Sequence, residues 1–333
     1  KNAQPLAEVF GHPVTDASSR ADRYRSQRLC PFNNKVPNCT KDKAKSPLGV
    51  CSIQHDGSPV ITCPIRFRED WLITDDAASF FFPEGTKWSS LTEIRLNDGN
   101  GKSAGNIDIV LVAYDDNGKV KDFGALEIQA VYISGNVRDP FEYFMEEPKG
   151  RAFMDWSNQP NYPRPDYLSS SRKRLVPQLF FKGGILHSWK KKSAVALNKS
   201  FFDTLPPLIG ADIPLLKTQT NKSITVHTYS LGEPAANGEQ RKLISEREII
   251  FDLDEFSKRF TTGPNLPTTV SRKKADIAWL IYDIELCGSG AEKRYRLKKV
   301  DEVFTEFEPA LLSITTPVPG RIDDFMNMLQ VKI

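Results

Sequence analysis

The stretch FGALEIQAV, residues 123–131, is mostly apolar but carries an acid and an amide inside it. A short apolar run of this kind is typical of a β-strand. Residues two apart in a strand share a face, so Leu126 and Ile128 point to one side of the sheet while Glu127 and Gln129 point to the other. The pattern raises the question of what these two polar side chains face.

A second β-rich run, IDIVLVAY at residues 107–114, precedes this strand and contains Asp108. The segment between the two runs includes Asn117-Gly118, a strong signal for a two-residue hairpin turn, because both positions of that turn need positive φ. Counting outward from the turn, Asp108 lies directly opposite Glu127, on the same face, with Cβ atoms about 5 Å apart. Two carboxylates this close repel each other, and a shared proton or a bound cation relieves the repulsion.

A hard dication with oxygen ligands, such as Mg²⁺, is the natural occupant of this acid pair. The order Asp108 and then Glu127-Ile128-Gln129 resembles the active-site motif of the PD-(D/E)XK nucleases. In that superfamily the two acids bind Mg²⁺ with the main-chain carbonyl of the residue between, which is Ile128 here. The third motif position is usually lysine, and some restriction enzymes carry glutamine. In the structural alternative, Asp108 only begins a strand and Glu127 pairs with a stray cation.

Four of the five cysteines, namely Cys30, Cys39, Cys51 and Cys63, fall within one short, Pro-containing segment. Two disulfides would require an oxidising compartment, and no signal segment places the chain in one. Four thiolates around Zn²⁺ or Fe would suit a cytoplasmic protein and would staple a segment poor in apolar residues. Neither alternative is excluded by the spacing, because no short C-x-x-C pair is present; we favour the metal.

The chain as a whole resembles the NotI-type restriction endonucleases. The matching stretches are FGH at residues 10–12, CPF from Cys30, GVC ending at Cys51, Cys63-Pro64, GALEIQ at 124–129, QLFFK at 178–182 and AWLIYDIEL at 278–286. The resemblance implies a restriction-endonuclease-like core and type II cleavage of palindromic double-stranded DNA by a homodimer. It also implies Mg²⁺ at each active site, with Asp108, Glu127 and Gln129 as catalytic residues, and a structural iron or zinc on the four cysteines.

The reaction that the resemblance implies is hydrolysis of the DNA phosphodiester bond to give 5′-phosphate ends, and Gln129 is expected to orient the attacking water or the phosphate. The alternative is a non-catalytic DNA-binding or scaffold protein with a structural metal site. The net charge of +3 does not decide for nucleic acid, but local basic clusters can neutralise phosphates. The candidates for contact with the DNA backbone are Arg172, Lys173, Arg174 and Lys182.

With 333 residues, 39% hydrophobic and 26% charged, the chain has the composition of a globular protein, and no apolar run is long enough to suggest a membrane span. We predict an α/β or α+β fold with a central mixed sheet flanked by helices. Residues 1–66 are expected to form a loop-rich metal-binding module, and residues 67–333 the nuclease domain with DNA-recognition insertions. Helices are expected at 69–82, at 167–189 with an interruption at Pro177, and near the end at 301–312 and 321–330.

Overall fold

The computed structural model describes most of the chain as far as residue 251 and three short strands beyond it. The described ranges are 3–33, 35–43, 46–97, 103–205, 223–251, 282–287, 294–299 and 302–307. The predicted helix at 321–330 lies outside them, as does the first part of the stretch AWLIYDIEL at 278–286, for which the family resemblance implies a strand.

The secondary structure mixes many short strands with a few helices. The strands are β1 (Leu6–Val9), β2 (His12–Pro13), β3 (Asp42–Lys43), β4 (Ser46–Pro47), β5 (Val50–His55), β6 (Ser58–Ile61), β7 (Trp88–Asn97), β8 (Ser103–Tyr114), β9 (Val120–Gln129), β10 (Tyr132–Ser134), β11 (Arg164–Asp166), β12 (Ser193–Asn198), β13 (Ile224–Leu231), β14 (Leu243–Phe251), β15 (Tyr282–Cys287), β16 (Arg294–Lys299) and β17 (Glu302–Phe307). The α-helices are α1 (Ser19–Ser26), α2 (Leu72–Phe81), α3 (Arg138–Glu146), α4 (Tyr167–Ser170), α5 (Val176–Ser188) and α6 (Lys199–Phe202), with a 3₁₀ segment at Pro64–Trp71 and a π segment at Ser171–Leu175.

The centre of the fold is a six-stranded mixed sheet in the order β14-β13-β12-β9-β8-β7. Strands β7, β8 and β9 are antiparallel neighbours, β12 runs parallel to both β9 and β13, and β14 is antiparallel to β13. This arrangement confirms the predicted mixed sheet with helices beside it.

The two faces of the sheet pack against different helices, as the alternation along β9 requires. Leu126 and Ile128 belong to the hydrophobic cluster around α2, whereas Phe123 and Ala125 pack with Ile185 of α5 on the opposite face. Glu127 has the same parity as Phe123 and Ala125. The acid therefore belongs to the α5 face of the sheet.

The hairpin between β8 and β9 differs from the predicted two-residue turn. The Gly118 N–H donates to the carbonyl of Asp115, and the Asp115 N–H donates to that of Lys119, so three residues form the loop. The Asp115 carboxylate accepts the N–H of both Asn117 and Lys119, which stabilises this longer loop. Gly118 adopts the positive φ of 74° that such a turn needs.

A bulge between Ala113 and Tyr114 shifts the pairing by one residue, and beyond it Ile109 pairs with Leu126. The predicted register is therefore present although the predicted turn is not. The three-residue loop shifts the strand register by one residue, and the bulge shifts it back.

The N-terminal segment is more ordered than the predicted loop-rich module. It contains a four-stranded sheet in the order β2-β1-β5-β6. Side chains of this sheet, such as Val9 and Ile53, share one hydrophobic cluster with Phe144 of α3 and with Leu197 of β12. The predicted loops were wrong for β1, β5 and β6, because short strands with irregular register leave little periodic signal. The boundary at residue 66 stays a prediction.

Two further expectations concern the later part of the chain. The predicted change of helix near Pro177 is present: the π segment gives way to α5 at Val176, and Pro177 lies in the first turn of α5, where its missing N–H is not needed. The helix predicted over 301–312 is wrong at Glu302–Phe307, which is β17 and pairs with β16. Its β-branched and aromatic residues favour a strand once a partner strand is available.

Candidate active site

Asp108 and Glu127 lie side by side at the ends of the paired portion of β8 and β9. The paired residues end at Ile109 and Leu126. Beyond them, Oδ2 of Asp108 accepts a 2.8 Å hydrogen bond from the backbone N–H of Ile128. This bond ties the Asp108 side chain to β9 next to Glu127, so the structure brings the two predicted acids together.

The environment of Glu127 makes its negative charge unfavourable. The side chain is buried, with only 6% of the residue exposed. The pKa of Glu127 is raised to about 8: burial is the largest cause, the charge and hydrogen bonding of the neighbouring Asp108 carboxylate act in the same direction, and the ammonium of Lys182 opposes both effects. Near neutral pH the pair therefore favours a retained proton or a cation on Glu127.

Lys182 supplies a positive charge inside this site. Its Nζ lies 2.9 Å from both Oε1 and Oε2 of Glu127 and also donates to the backbone carbonyl of Asn106 in β8. The residue is itself only 7% exposed. The sequence analysis placed Lys182 among residues facing the DNA backbone, but the structure places it in a buried ion pair with Glu127.

A signal for this position of Lys182 was present in the sequence. Leu179, Ile185 and Leu186 are buried on one stripe of α5. Lys182 lies three residues from Leu179 and three from Ile185, which puts it on the same apolar stripe. A lysine on the buried face of a helix predicts an internal carboxylate partner. The sequence analysis instead grouped Lys182 with the basic residues that precede it and predicted contact with DNA.

Gln129 lies on the same face of β9, two residues beyond Glu127, and is buried. Its Nε2 donates a 2.8 Å hydrogen bond to the carbonyl of Ala130. This bond holds the amide at the end of the strand. The backbone of Gln129 is paired with Leu197 of β12, which places this position in the interior of the sheet.

The other predicted DNA contacts lie just before α5, in the π segment Ser171–Leu175. Lys173 and Arg174 are exposed, and the guanidinium of Arg174 stacks over the ring of Tyr132 at 4.1 Å from its centroid. The backbone of Arg172 belongs to the same segment. Lys173 and Arg174 are therefore exposed, unlike the buried Lys182.

The four N-terminal cysteines are close enough to influence one another, and none of the four is in a disulfide. Burial raises the pKa of the Cys30 thiol to about 11, and it also raises the pKa of Cys39 and of Cys51. The charge of a Cys63 thiolate is a further cause in the same direction for all three. The backbone N–H groups of Phe32 and Asn33 lower the pKa of Cys30, and that of Lys41 lowers the pKa of Cys39, which partly offsets burial.

Side chains that could bind a metal ion do not form groups of three or more in the described part of the chain. Within the ranges that the structure describes, no three or more His, Cys, Asp or Glu side chains are arranged to hold a metal ion. The pair of Asp108 and Glu127 has two carboxylates and is therefore not such a group. The predicted cysteine module is not seen as a formed metal site.

A buried ionic network that the sequence analysis missed joins the cysteine segment to the central sheet. The guanidinium of Arg66 is fully buried and donates to Glu8 of β1 and, at 2.7 Å, to Glu69. It also stacks over the ring of Phe32, which follows Cys30, at 4.2 Å from the centroid. Glu69 in turn accepts the N–H of Leu243 in β14. Burial by itself lowers the pKa of Arg66, but the carboxylates of Glu8 and Glu69 outweigh it and raise the pKa, so the charge is retained.

The chain was also compared with known proteins. A family model described as restriction endonuclease NotI matches residues 8–237, a span that includes the four cysteines, the acid pair and Lys182. No curated protein matches the chain. In the described part of the chain, none of the helices has the length and apolarity needed to span a membrane.

Proposed function

The chain belongs to the NotI restriction endonuclease family and is a site-specific deoxyribonuclease, and we propose that it uses Asp108 and Glu127 to cleave DNA with Mg²⁺. The observation that supports this assignment is the acid pair at the ends of β8 and β9, in which Glu127 is buried and Asp108 is half-buried. Two carboxylates facing each other in a low-dielectric site are an unfavourable arrangement for stability alone. They are well suited to holding a cation.

The donors around this pair fit Mg²⁺. Carboxylate oxygens of Asp108 and Glu127, with the backbone carbonyl of Ile128, are the hard oxygen ligands that Mg²⁺ prefers. When bound there, the ion would polarise the scissile phosphate and lower the pKa of an attacking water. The bond from the Ile128 N–H restricts Asp108 to one orientation, and the burial of Glu127 excludes bulk water from its carboxylate.

The reaction is hydrolysis of one phosphodiester bond on each strand. The water oxygen bonds to phosphorus, the bond from phosphorus to the 3′-oxygen breaks, and that oxygen takes a proton, which leaves 5′-phosphate and 3′-hydroxyl ends. Gln129 lies on the same face as Glu127 and has an amide oxygen that can accept a hydrogen bond from the attacking water. Its role is to orient this water or the phosphate.

Cleavage and its dependence on the acids can be tested with plasmid DNA. We expect discrete fragments with Mg²⁺ and none with EDTA. Asp108→Asn and Glu127→Gln should abolish cleavage while a mobility shift with DNA persists, and the exposed Glu93→Gln should behave as the unmodified protein. A mobility shift without cleavage by the unmodified protein would instead favour a non-catalytic DNA-binding protein.

The recognised site is proposed to be palindromic and the active form a homodimer, as each strand needs its own active site. Sequencing the ends of digested genomic DNA would reveal the site and its symmetry. Sedimentation of the protein on a duplex carrying that site should give two chains per duplex. One chain per duplex with cleavage of both strands would contradict the dimer.

Arg172, Lys173 and Arg174 are proposed to contact DNA phosphates. The exposure of Lys173 and Arg174 supports this role, because a phosphate contact needs an accessible cation. Lys173→Gln should weaken binding to all sequences and reduce the salt dependence of binding by about one phosphate contact. The matched control is Lys199→Gln, an exposed lysine paired with Asp203.

The four cysteines are proposed to bind one structural iron or zinc ion. Their thiolate chemistry fits these ions and not Mg²⁺. Backbone N–H groups lower the pKa of Cys30 and Cys39 and so partly offset burial, an effect that favours the thiolate form that a metal ion needs. Elemental analysis should find about one ion per chain, any one change to serine among the four should lower that content, and Cys287→Ser should not. Two disulfides with no bound metal would refute the site.

A further inference from the structure

The position of Lys182 extends the proposed nuclease function, on which this inference rests. The third position of the acid motif is Gln129, which brings no charge. In place of a motif lysine, α5 delivers the ammonium of Lys182 to the acid pair from another element. The residue is 55 positions away from Glu127 in the chain.

The ammonium occupies the part of Glu127 that a metal ion would use. Both carboxylate oxygens of Glu127 lie 2.9 Å from Nζ of Lys182, so neither is free of the positive charge. Mg²⁺ would have to approach one of these oxygens to about 2.1 Å. Two cations at the same buried carboxylate repel strongly, because the screening there is weak.

Counting charges shows when the lysine and the metal ion can coexist. Asp108 and Glu127 bring two negative charges, which Mg²⁺ alone balances. Lys182 beside them then leaves an excess of one positive charge, and a DNA phosphate would cancel it. The ammonium is thus a competitor of Mg²⁺ in the free protein and a partner of the phosphate in the complex.

We propose that Lys182 is the counter-ion of ionised Glu127 in the metal-free protein, that its ammonium leaves Glu127 when Mg²⁺ binds, and that the displaced ammonium binds the scissile phosphate. The flexible four-carbon side chain permits this movement, and the hydrogen bond to the carbonyl of Asn106 on β8 leaves the ammonium one partner when it leaves Glu127. The role is catalytic in the complex, because the ammonium then touches the reacting group.

The test combines metal binding without DNA and cleavage with DNA. Calorimetric titration with Mg²⁺ alone at about pH 9 limits competition by protons at Glu127. Lys182→Met should bind Mg²⁺ about tenfold more tightly than the unmodified protein, because a competing charge is lost. The same variant should cleave about 10²–10³-fold more slowly in single turnover, because the phosphate loses a charged partner.

Three variants serve as controls. Lys182→Arg keeps the charge and should bind Mg²⁺ no more tightly than the unmodified protein. Lys182→Gln keeps a hydrogen-bond donor for Glu127 and replaces the methionine variant if that protein does not fold. Lys199→Met, at an exposed pair with Asp203, should change neither measurement.

The two measurements move in opposite directions only if the ammonium and the metal ion compete. Weaker Mg²⁺ binding by Lys182→Met would mean that the lysine supports the metal site, and it would overturn the proposal. Unchanged cleavage would overturn it as well. If the unmodified protein cut no DNA at all, the proposed nuclease function would fail, whereas the Mg²⁺ titration would still decide whether Lys182 competes.

Discussion

Glu127 is the residue on which the chemistry of the site depends. Its carboxyl group is buried beside a second acid, and its pKa is raised to about 8. A buried acid with this pKa costs stability when it is ionised. Such a cost is common at functional sites, where the free energy is recovered when a ligand binds.

The raised pKa predicts how stability changes with pH in the absence of metal. Between about 4.5, the ordinary value, and about 8, the folded chain holds a proton on Glu127 that the unfolded chain has lost. The contribution of Glu127 is therefore favourable below this window and is lost as pH rises through it. Relative to Glu127→Gln, the unmodified protein should lose about 2–4 kcal/mol of unfolding free energy from pH ~5 to pH ~9.

The measurement is chemical unfolding in EDTA at the two pH values. Glu93→Gln, which changes an exposed glutamate, should follow the unmodified protein at both. A constant difference between Glu127→Gln and the unmodified protein across this range would show that Glu127 titrates normally.

Gln129 should matter less to catalysis than either acid. An amide can orient a water or a phosphate but adds no charge to a metal ion, so Gln129→Ala should slow single-turnover cleavage by about 10–10²-fold. Glu127→Gln should have a much larger effect. Gln27→Ala, an exposed glutamine at the end of α1, is the matched control. Equal defects in Gln129→Ala and Glu127→Gln would give the amide a central role.

At the scale of elements, the acid pair depends on close packing between β9 and α2. A Cβ atom at Gly124 would meet the ring of Phe81 at 2.3 Å, which is closer than any contact can be. The absence of a side chain at this position lets the helix approach the strand that carries Glu127. Position 124 therefore controls the distance between the two elements.

Gly124→Ala should destabilise the fold by about 1–3 kcal/mol, because the ring of Phe81 must move out of its place. Cleavage should fall as well, since β9 shifts beneath Glu127. Thermal unfolding and single-turnover rates test the two effects. The Phe81→Leu change should relieve much of the clash, so that the double variant is more stable than the two single changes predict by addition. If the stability changes of the two single variants simply add in the double variant, the strain does not arise from contact between position 124 and Phe81.

At the scale of the whole molecule, Arg66 connects parts of the chain that are distant in sequence. Its guanidinium contacts Glu8 of β1, Glu69 and the backbone carbonyl of Arg241, which precedes β14. The stacking on Phe32 adds the segment that follows Cys30. The N-terminal sheet and the central sheet are thereby held together by one buried charge as well as by their shared hydrophobic cluster.

Arg66→Met should destabilise the protein by about 3–5 kcal/mol, because two buried carboxylates lose their partner. Urea unfolding followed at both sheets should show a single, earlier transition. The exposed pair of Arg138 and Asp42 offers a comparison, and Arg138→Met should cost about 1 kcal/mol or less. An Arg66→Met protein as stable as Arg138→Met would mean that the network adds little to the fold.

Much of the site could be predicted from local patterns. The alternation in residues 123–131 placed Glu127 and Gln129 on one face, and the register of the hairpin placed Asp108 beside Glu127. The register was right although the turn was wrong, because the alternation of buried residues on both strands restricts the pairing more strongly than the loop does. The family assignment was confirmed by the match over residues 8–237.

Sequence alone determined the features that repeat along one strand or hairpin: the face of each side chain, the acid pair and the mixed class of the sheet. Tertiary structure decided which distant residues meet. The contact of Lys182 with Glu127 depends on how α5 crosses the sheet, and the Arg66 network depends on how β1 docks. The strand β17 likewise forms against β16. Local periodicity indicates the secondary structure of a segment and the face on which each side chain lies. These contacts instead depend on how separate elements pack against one another, and no single stretch of sequence specifies that packing.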